Sequence, residues 1–143
     1  MTITQSLMNL TLIMVASAPL MAAPQQLDAQ AVAVLLSGDQ EVPAVTTSAA
    51  GSGSLTIGAD KAVRGGISTS GIVGTMAHIH WAAAGKNGAV VITLEKDGKN
   101  GWSVPADASL SDSQYASFKA GELYVNVHSA AHPAGEIRAQ LKP

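Results

Sequence analysis

Glycine cuts this chain into short pieces, and most of the pieces alternate. There are 14 glycines, many lying between runs of β-branched residues, the pattern of many strands joined by many turns. Ala31 to Leu36 reads as a first strand, and Ser37 to Pro43 turns the chain outward. Gly53 to Ile57 alternates with period two, and Ala62 to Ser68 is a further candidate. Ile72 to Trp81, Ala89 to Leu94, Leu123 to His128 and Gly135 to Leu141 complete the set. The strongly apolar Ala89 to Leu94 run is expected at the centre of a sheet. Gly85 to Gly88 and Asp97 to Gly101 are turns. Seven or so strands of this kind imply an all-β fold, an antiparallel sandwich or barrel.

One helix interrupts the strands. Ser111 with Gln114 three residues on is a capping box, Leu110 and Tyr115 can close a hydrophobic staple over it, and Gly121 stands where a left-handed residue ends a helix. The expected helix runs roughly from Asp112 to Ala120. With 143 residues, no internal repeat and no long linker, the chain is expected to form one domain. Hydrophobic residues make up 47% but aromatics only 3%, so the core must rest on Val, Ile, Leu and Ala.

Residues 1–23 are expected to be a signal peptide. Leu7 to Met21 is apolar, interrupted by Asn9, Thr11 and Ser17, and small residues follow at Ala22 and Ala23. No Lys or Arg precedes that run, and an uncleaved membrane anchor is the alternative. Residues 24–30 form a short polar lead-in, and 31–141 the domain. The mature protein is expected in the periplasm or the medium, with no membrane span. There is no cysteine, so disulfides give no evidence of compartment. The net charge of −2 gives no footprint for nucleic acid. No nucleophile elbow and no phosphate-cradling loop is present.

All four histidines fall in two patches, His78-Ile79-His80 and His128 to His132. Neutral imidazole is the commonest protein ligand for transition metals. Residues two apart on a strand face the same way, so His78 and His80 would present both rings about 7 Å apart at the backbone. Met76 would share their face. If the strand ending at His128 is a neighbour, three or four imidazoles converge. Met76 as a soft ligand would favour reduced copper; its other reading is core packing. No carboxylate lies in the patches, which argues against calcium and magnesium. The alternative is that the rings hydrogen-bond to one another or to backbone, with His132 a solvated loop residue. Tyr124 and Asn126 share a face with His128 and would either orient an imidazole from outside the ligand set or line an ordinary sheet surface. Glu136 and Arg138 face one way on their strand, and an ion pair with Asp39 or Glu41 is the expected role. Asn87 and Asn100 are expected to hold turns, and Trp81 and Trp102 to pack.

Four motifs, in order, resemble those of the CHRD domain. They are Leu36-Ser37-Gly38-Asp39-Gln40-Glu41-Val42-Pro43; Ala77-His78-Ile79-His80 followed by Gly85-Lys86-Asn87-Gly88; Tyr124-Val125-Asn126-Val127-His128; and Gly135-Glu136-Ile137-Arg138. The family is named after chordin and includes many exported bacterial proteins. The resemblance spans about Ala31 to Leu141 and implies a secreted β-sandwich of Greek-key character. The family pattern carries the His-x-His and the histidine after Tyr-Val-Asn-Val. His132 stands where the family often has an aromatic or small residue, and this extra imidazole strengthens the metal reading.

Three functions follow as expectations. The first is an exported module binding a transition metal, copper first and zinc as the alternative, through His78, His80, His128 and His132, for metal handling outside the cytoplasm. The second is a metal-free extracellular or periplasmic module that binds another exported protein or a matrix. The third is a redox enzyme, because a sandwich with His-x-His has the outline of copper-zinc superoxide dismutase. The missing cysteines and the lack of a His- and Asp-rich zinc loop weigh against that third reading.

Overall fold

The computed structural model of the protein describes residues 29–143. The expected signal peptide, 1–23, and all but the end of the lead-in lie outside the described residues. No helix among the described residues is long and apolar enough to cross a membrane. Nine strands form: β1 (Ala29–Ser37), β2 (Ala50–Gly58), β3 (Val63–Ser70), β4 (Gly74–Trp81), β5 (Ala89–Thr93), β6 (Glu95–Asp97), β7 (Gly101–Ser103), β8 (Leu123–Ser129) and β9 (Ile137–Leu141). They make one antiparallel sheet in the order β5-β4-β8-β9-β1-β2-β3-β7-β6. The two strands beyond the expected seven are β6 and β7, which flank the Asp97–Gly101 turn as a hairpin.

The sheet curls into a nearly closed barrel. Its two end strands, β5 and β6, are separated in the chain by Leu94 alone. Leu94 is buried, and its N–H donates to the Ala77 carbonyl of β4 at 2.9 Å. The Ala89 to Leu94 run is therefore at the end of the sheet order, not at its centre. Its apolar character has a different cause: Ile92 and Leu94 face the core, while Ala89 and Val90 are exposed.

Alternation fills the barrel as the period of two requires. Val32, Val34 and Leu36 of β1, Leu55 and Ile57 of β2, Ala77 and Ile79 of β4, and Leu123, Val125 and Val127 of β8 point inward and are nearly inaccessible. Helix α1 (Asp112–Lys119) adds Phe118 to this core. Its start is the expected capping box: Gln114 N–H donates to Ser111 Oγ at 3.2 Å, and Ser111 N–H donates to Gln114 Oε1 at 2.8 Å. Trp102 packs in the core, whereas Trp81 is 40% exposed and donates its Nε1–H to Ser117.

Candidate metal centre

β4 and β8 are antiparallel neighbours. Met76 stands opposite His128, His78 opposite Asn126, and His80 opposite Tyr124. Directly opposed residues share a face of the sheet, so all six side chains lie on the outer side, away from Ala77, Ile79, Val125 and Val127. An outer face is ordinarily wet. Here His80 is 8% exposed, His128 6%, and Tyr124 and Asn126 2% each.

Two loops cover them. The 82–88 loop is held from β9 and from the site itself. Arg138 donates to the Lys86 carbonyl at 2.9 Å and to Ala83 at 3.4 Å; Gln140 Nε2 donates to Ala82 at 2.9 Å; Asn87 Nδ2 reaches across to the Val42 carbonyl at 2.7 Å. The 130–135 loop is held at Ser129, whose Oγ donates to Glu136 and accepts from His132 N–H at 3.1 Å. Gly88 lies so close to Trp81 that a Cβ would overlap the Trp81 carbonyl oxygen. At Gly135 φ is 130°, and a Cβ there would run into the Glu41 carboxylate and the Asn126 amide.

Three imidazoles converge under this cover. Each of His78, His80 and His128 offers one ring nitrogen, and the three nitrogens lie within 4.8 Å of one another. Hydrogen bonds set which nitrogens carry protons. A carbonyl can only accept, so His128 Nδ1, 2.9 Å from the Pro133 oxygen, and His80 Nδ1, 3.0 Å from the Gly88 oxygen, are both donors. The neutral ring then has its lone pair on Nε2 in each case. His128 Nε2 lies 3.0 Å from His78 Nδ1, which donates to it when no ion is bound. His78 is only half-buried, so its proton can pass to Nε2 and leave Nδ1 as a donor to an ion. His80 Nε2 is buried and has no hydrogen-bond partner. A backbone-oriented imidazole whose second nitrogen meets no proton suits a cation.

The His80 ring is clamped. Tyr124 stacks on it with centroids 4.7 Å apart and planes 3° from parallel, and the Arg138 guanidinium lies 3.4 Å from the Tyr124 centroid on a cation–π contact. The Tyr124 hydroxyl accepts from Gly88 N–H at 3.3 Å. Burial holds the proton affinity of His78 below the ordinary histidine value, helped by His128 and His80. Burial likewise lowers His80; the Gly88 and Asn126 contacts oppose this and the His128 and Arg138 charges add to it. Both shifts favour the neutral ring, the state a ligand needs. Burial raises the Glu41 carboxyl above its usual range, with Asn126 and Arg138 pulling the other way.

The structure thus brings His78, His80 and His128 together and puts Tyr124 against His80. His132 is not part of the group among the described residues. It is half-buried in a cleft beside Glu41, Pro43 and Pro133, with its backbone tied to Ser129 and Gly135. Met76 lies on the rim, 47% exposed.

The expected ion pair of Glu136 or Arg138 with Asp39 or Glu41 does not form. Arg138, 1% exposed, spends its donors on loop carbonyls, Asn87 and Gln140. Glu136 binds the Ser129 and Thr47 hydroxyls. Burial opposes its ionisation, but those two bonds and nearby His132 prevail and its carboxyl titrates below the usual range. Sequence reasoning missed Arg138, Gly88 and Glu41 as supports of the centre. Arg138 was open to detection, since it alternates onto the outer face of β9 and stands opposite Asn126.

No curated protein and no solved structure matches this chain. The family model of the CHRD domain matches residues 32–141, which take in every strand except the first three residues of β1 and include all the residues of the centre. With the match covering most of its length, the chain belongs to the CHRD domain family.

Proposed function

We propose that this protein is an exported CHRD-domain module that binds a transition metal, copper first and zinc as the alternative, through His78, His80 and His128, and handles the ion outside the cytoplasm. One observation carries the reading: three imidazole nitrogens within 4.8 Å, two of them with their proton already committed to a backbone carbonyl on the far side of the ring. Such rings need little reorganisation to bind. Imidazole suits copper and zinc alike. Export rests on the apolar stretch within residues 1–23, and fractionation of cells producing the full chain tests it.

The metal reading is tested by competition titration of the purified protein with copper and with zinc. Loss of a direct ligand in His128→Ala or His80→Ala should weaken binding by more than the roughly 10–100-fold typical for loss of an outer partner. Variants that bind as tightly as the parent would remove the proposal. Affinity should also decline as pH falls below about 6.5, where protons begin to compete for imidazole.

A further inference from the structure

We infer that the side-chain oxygen of Asn126 is a fourth donor to the ion held by His78, His80 and His128, and that this oxygen makes the centre selective for a divalent ion over reduced copper. The inference rests on the metal reading above and adds to it a residue and an oxidation state.

The register puts Asn126 at the floor of the cluster. It stands directly opposite His78, with Tyr124 and His128 two residues to either side on the same face and His80 on the diagonal. It is 2% exposed. Its Nδ2 donates to Glu41 Oε1 at 3.5 Å, while its Oδ1 is buried with no partner. The other orphan of this region is His80 Nε2. The two belong together, because Asn126 and His80 are diagonal neighbours on the same face of the β4–β8 pair.

His80 has already given its one neutral-state proton to Gly88, so its Nε2 lone pair and the Asn126 amide oxygen are two buried acceptors, on neighbouring side chains of one face, with no donor to either. Buried acceptors are left this way rarely. A cation satisfies both at once. Turning the amide over would quiet His80 but would set Oδ1 against the Glu41 carboxylate, acceptor against acceptor. Gly135 keeps this arrangement, since any side chain there would displace both Glu41 and Asn126.

The chemistry of the donor set decides the ion. Carbonyl oxygen is a hard donor, suited to divalent ions, and a site of nitrogen and oxygen ligands favours Cu(II) or zinc. Reduced copper prefers sulfur, and the one thioether on this face, Met76, is 47% exposed at the rim.

The test is competition titration of the full chain and its variants at neutral pH with Zn(II), Cu(II) and, anaerobically, Cu(I). Asn126→Ala should lose about 10–100-fold in affinity for both divalent ions and keep the parent's affinity for Cu(I). Asn126→Asp, similar in size, should recover or exceed the parent's divalent affinity and shift the Cu(II) electron paramagnetic resonance spectrum. Equal binding of the divalent ions by parent and Asn126→Ala would overturn the inference and show the amide turned as a donor to His80. An equal loss for all three ions, or an Asp variant with the parent's spectrum, would also overturn it by making Asn126 structural. Failure of the metal reading looks different: the parent binds none of the three, or His128→Ala binds them like the parent.

Discussion

On β2 and β3 the outward residues include Ser52, Ser54, Ser68 and Ser70, and all four are exposed. On β8 the outward residues are Tyr124, Asn126 and His128, and all three are buried. Both sets belong to one sheet and both are polar. A hydroxyl that reaches water needs no partner from the protein, whereas a polar group taken out of water must find one. The serine face is cheap and uncommitted. The histidine face is enclosed by the 82–88 and 130–135 loops, and most of the polar side-chain atoms beneath them are matched. Among the described residues, three buried side-chain nitrogen or oxygen atoms lack a partner, and two of them, on His80 and Asn126, lie at the candidate centre. Where enclosure is thorough, the exceptions are informative.

The strongest way to break this contrast is to unroof the histidine face. Arg138→Met keeps much of the side-chain volume but removes the donors to Lys86, Ala83, Asn87 and Gln140. Hydrogen bonds to charged groups contribute about 1.5–3 kcal/mol each, so urea unfolding should show a loss of at least that size. Amide exchange should quicken in 82–88 and leave β2 and β3 unchanged. A variant as stable as the parent would mean the loop closes without its anchor.

A second perturbation is pH. His78 and His80 are held below their ordinary value in the fold, so the unfolded chain takes up more protons as the solution becomes acidic. Their contribution is fully present above about 6.5 and is lost as pH falls through the lowered values. Glu41, raised in the fold, acts in the opposite sense in its own range. The metal-free His78→Asn/His80→Asn double variant should therefore lose less stability than the parent between about pH 6.5 and 5. Identical pH profiles in chemical denaturation would contradict the assignment.

Smaller effects mark what lies outside the centre. Ser111→Ala deletes one half of the capping box and should cost about 1 kcal/mol with no change in metal affinity. Ser52→Ala, on the exposed face, should stay within about 0.5 kcal/mol of the parent. A larger loss in either titration or melting for Ser52→Ala would show that the serine face is not the passive one.

Much of this was open to sequence reading for a physical reason. Alternation and capping are local, so the strand over Leu123 to His128 and the helix after Ser111 stand where the residues put them. The pairing of His78 with His80 on one face follows from the same period. Enclosure is not local. Nothing within Tyr124-Val125-Asn126-Val127-His128 says that loops some forty residues earlier and a few residues later fold over it. The same gap explains the Ala89 to Leu94 run, whose apolar side chains suit a central strand as well as an end strand lying against the core. It also explains Arg138, whose charge suggests an acidic partner and whose donors instead reach backbone carbonyls of a distant loop.

The single-residue step at Leu94 has a further consequence. One stretch of chain supplies both rims of the sheet, pairing with β4 through β5 and then with β7 through β6. Each rim is therefore short, and the β6 part carries Glu95, Lys96 and Asp97. A second molecule seeking to add a strand finds no long flat template. Short rims, elsewhere secured by decorating an edge, here follow from the path of the chain.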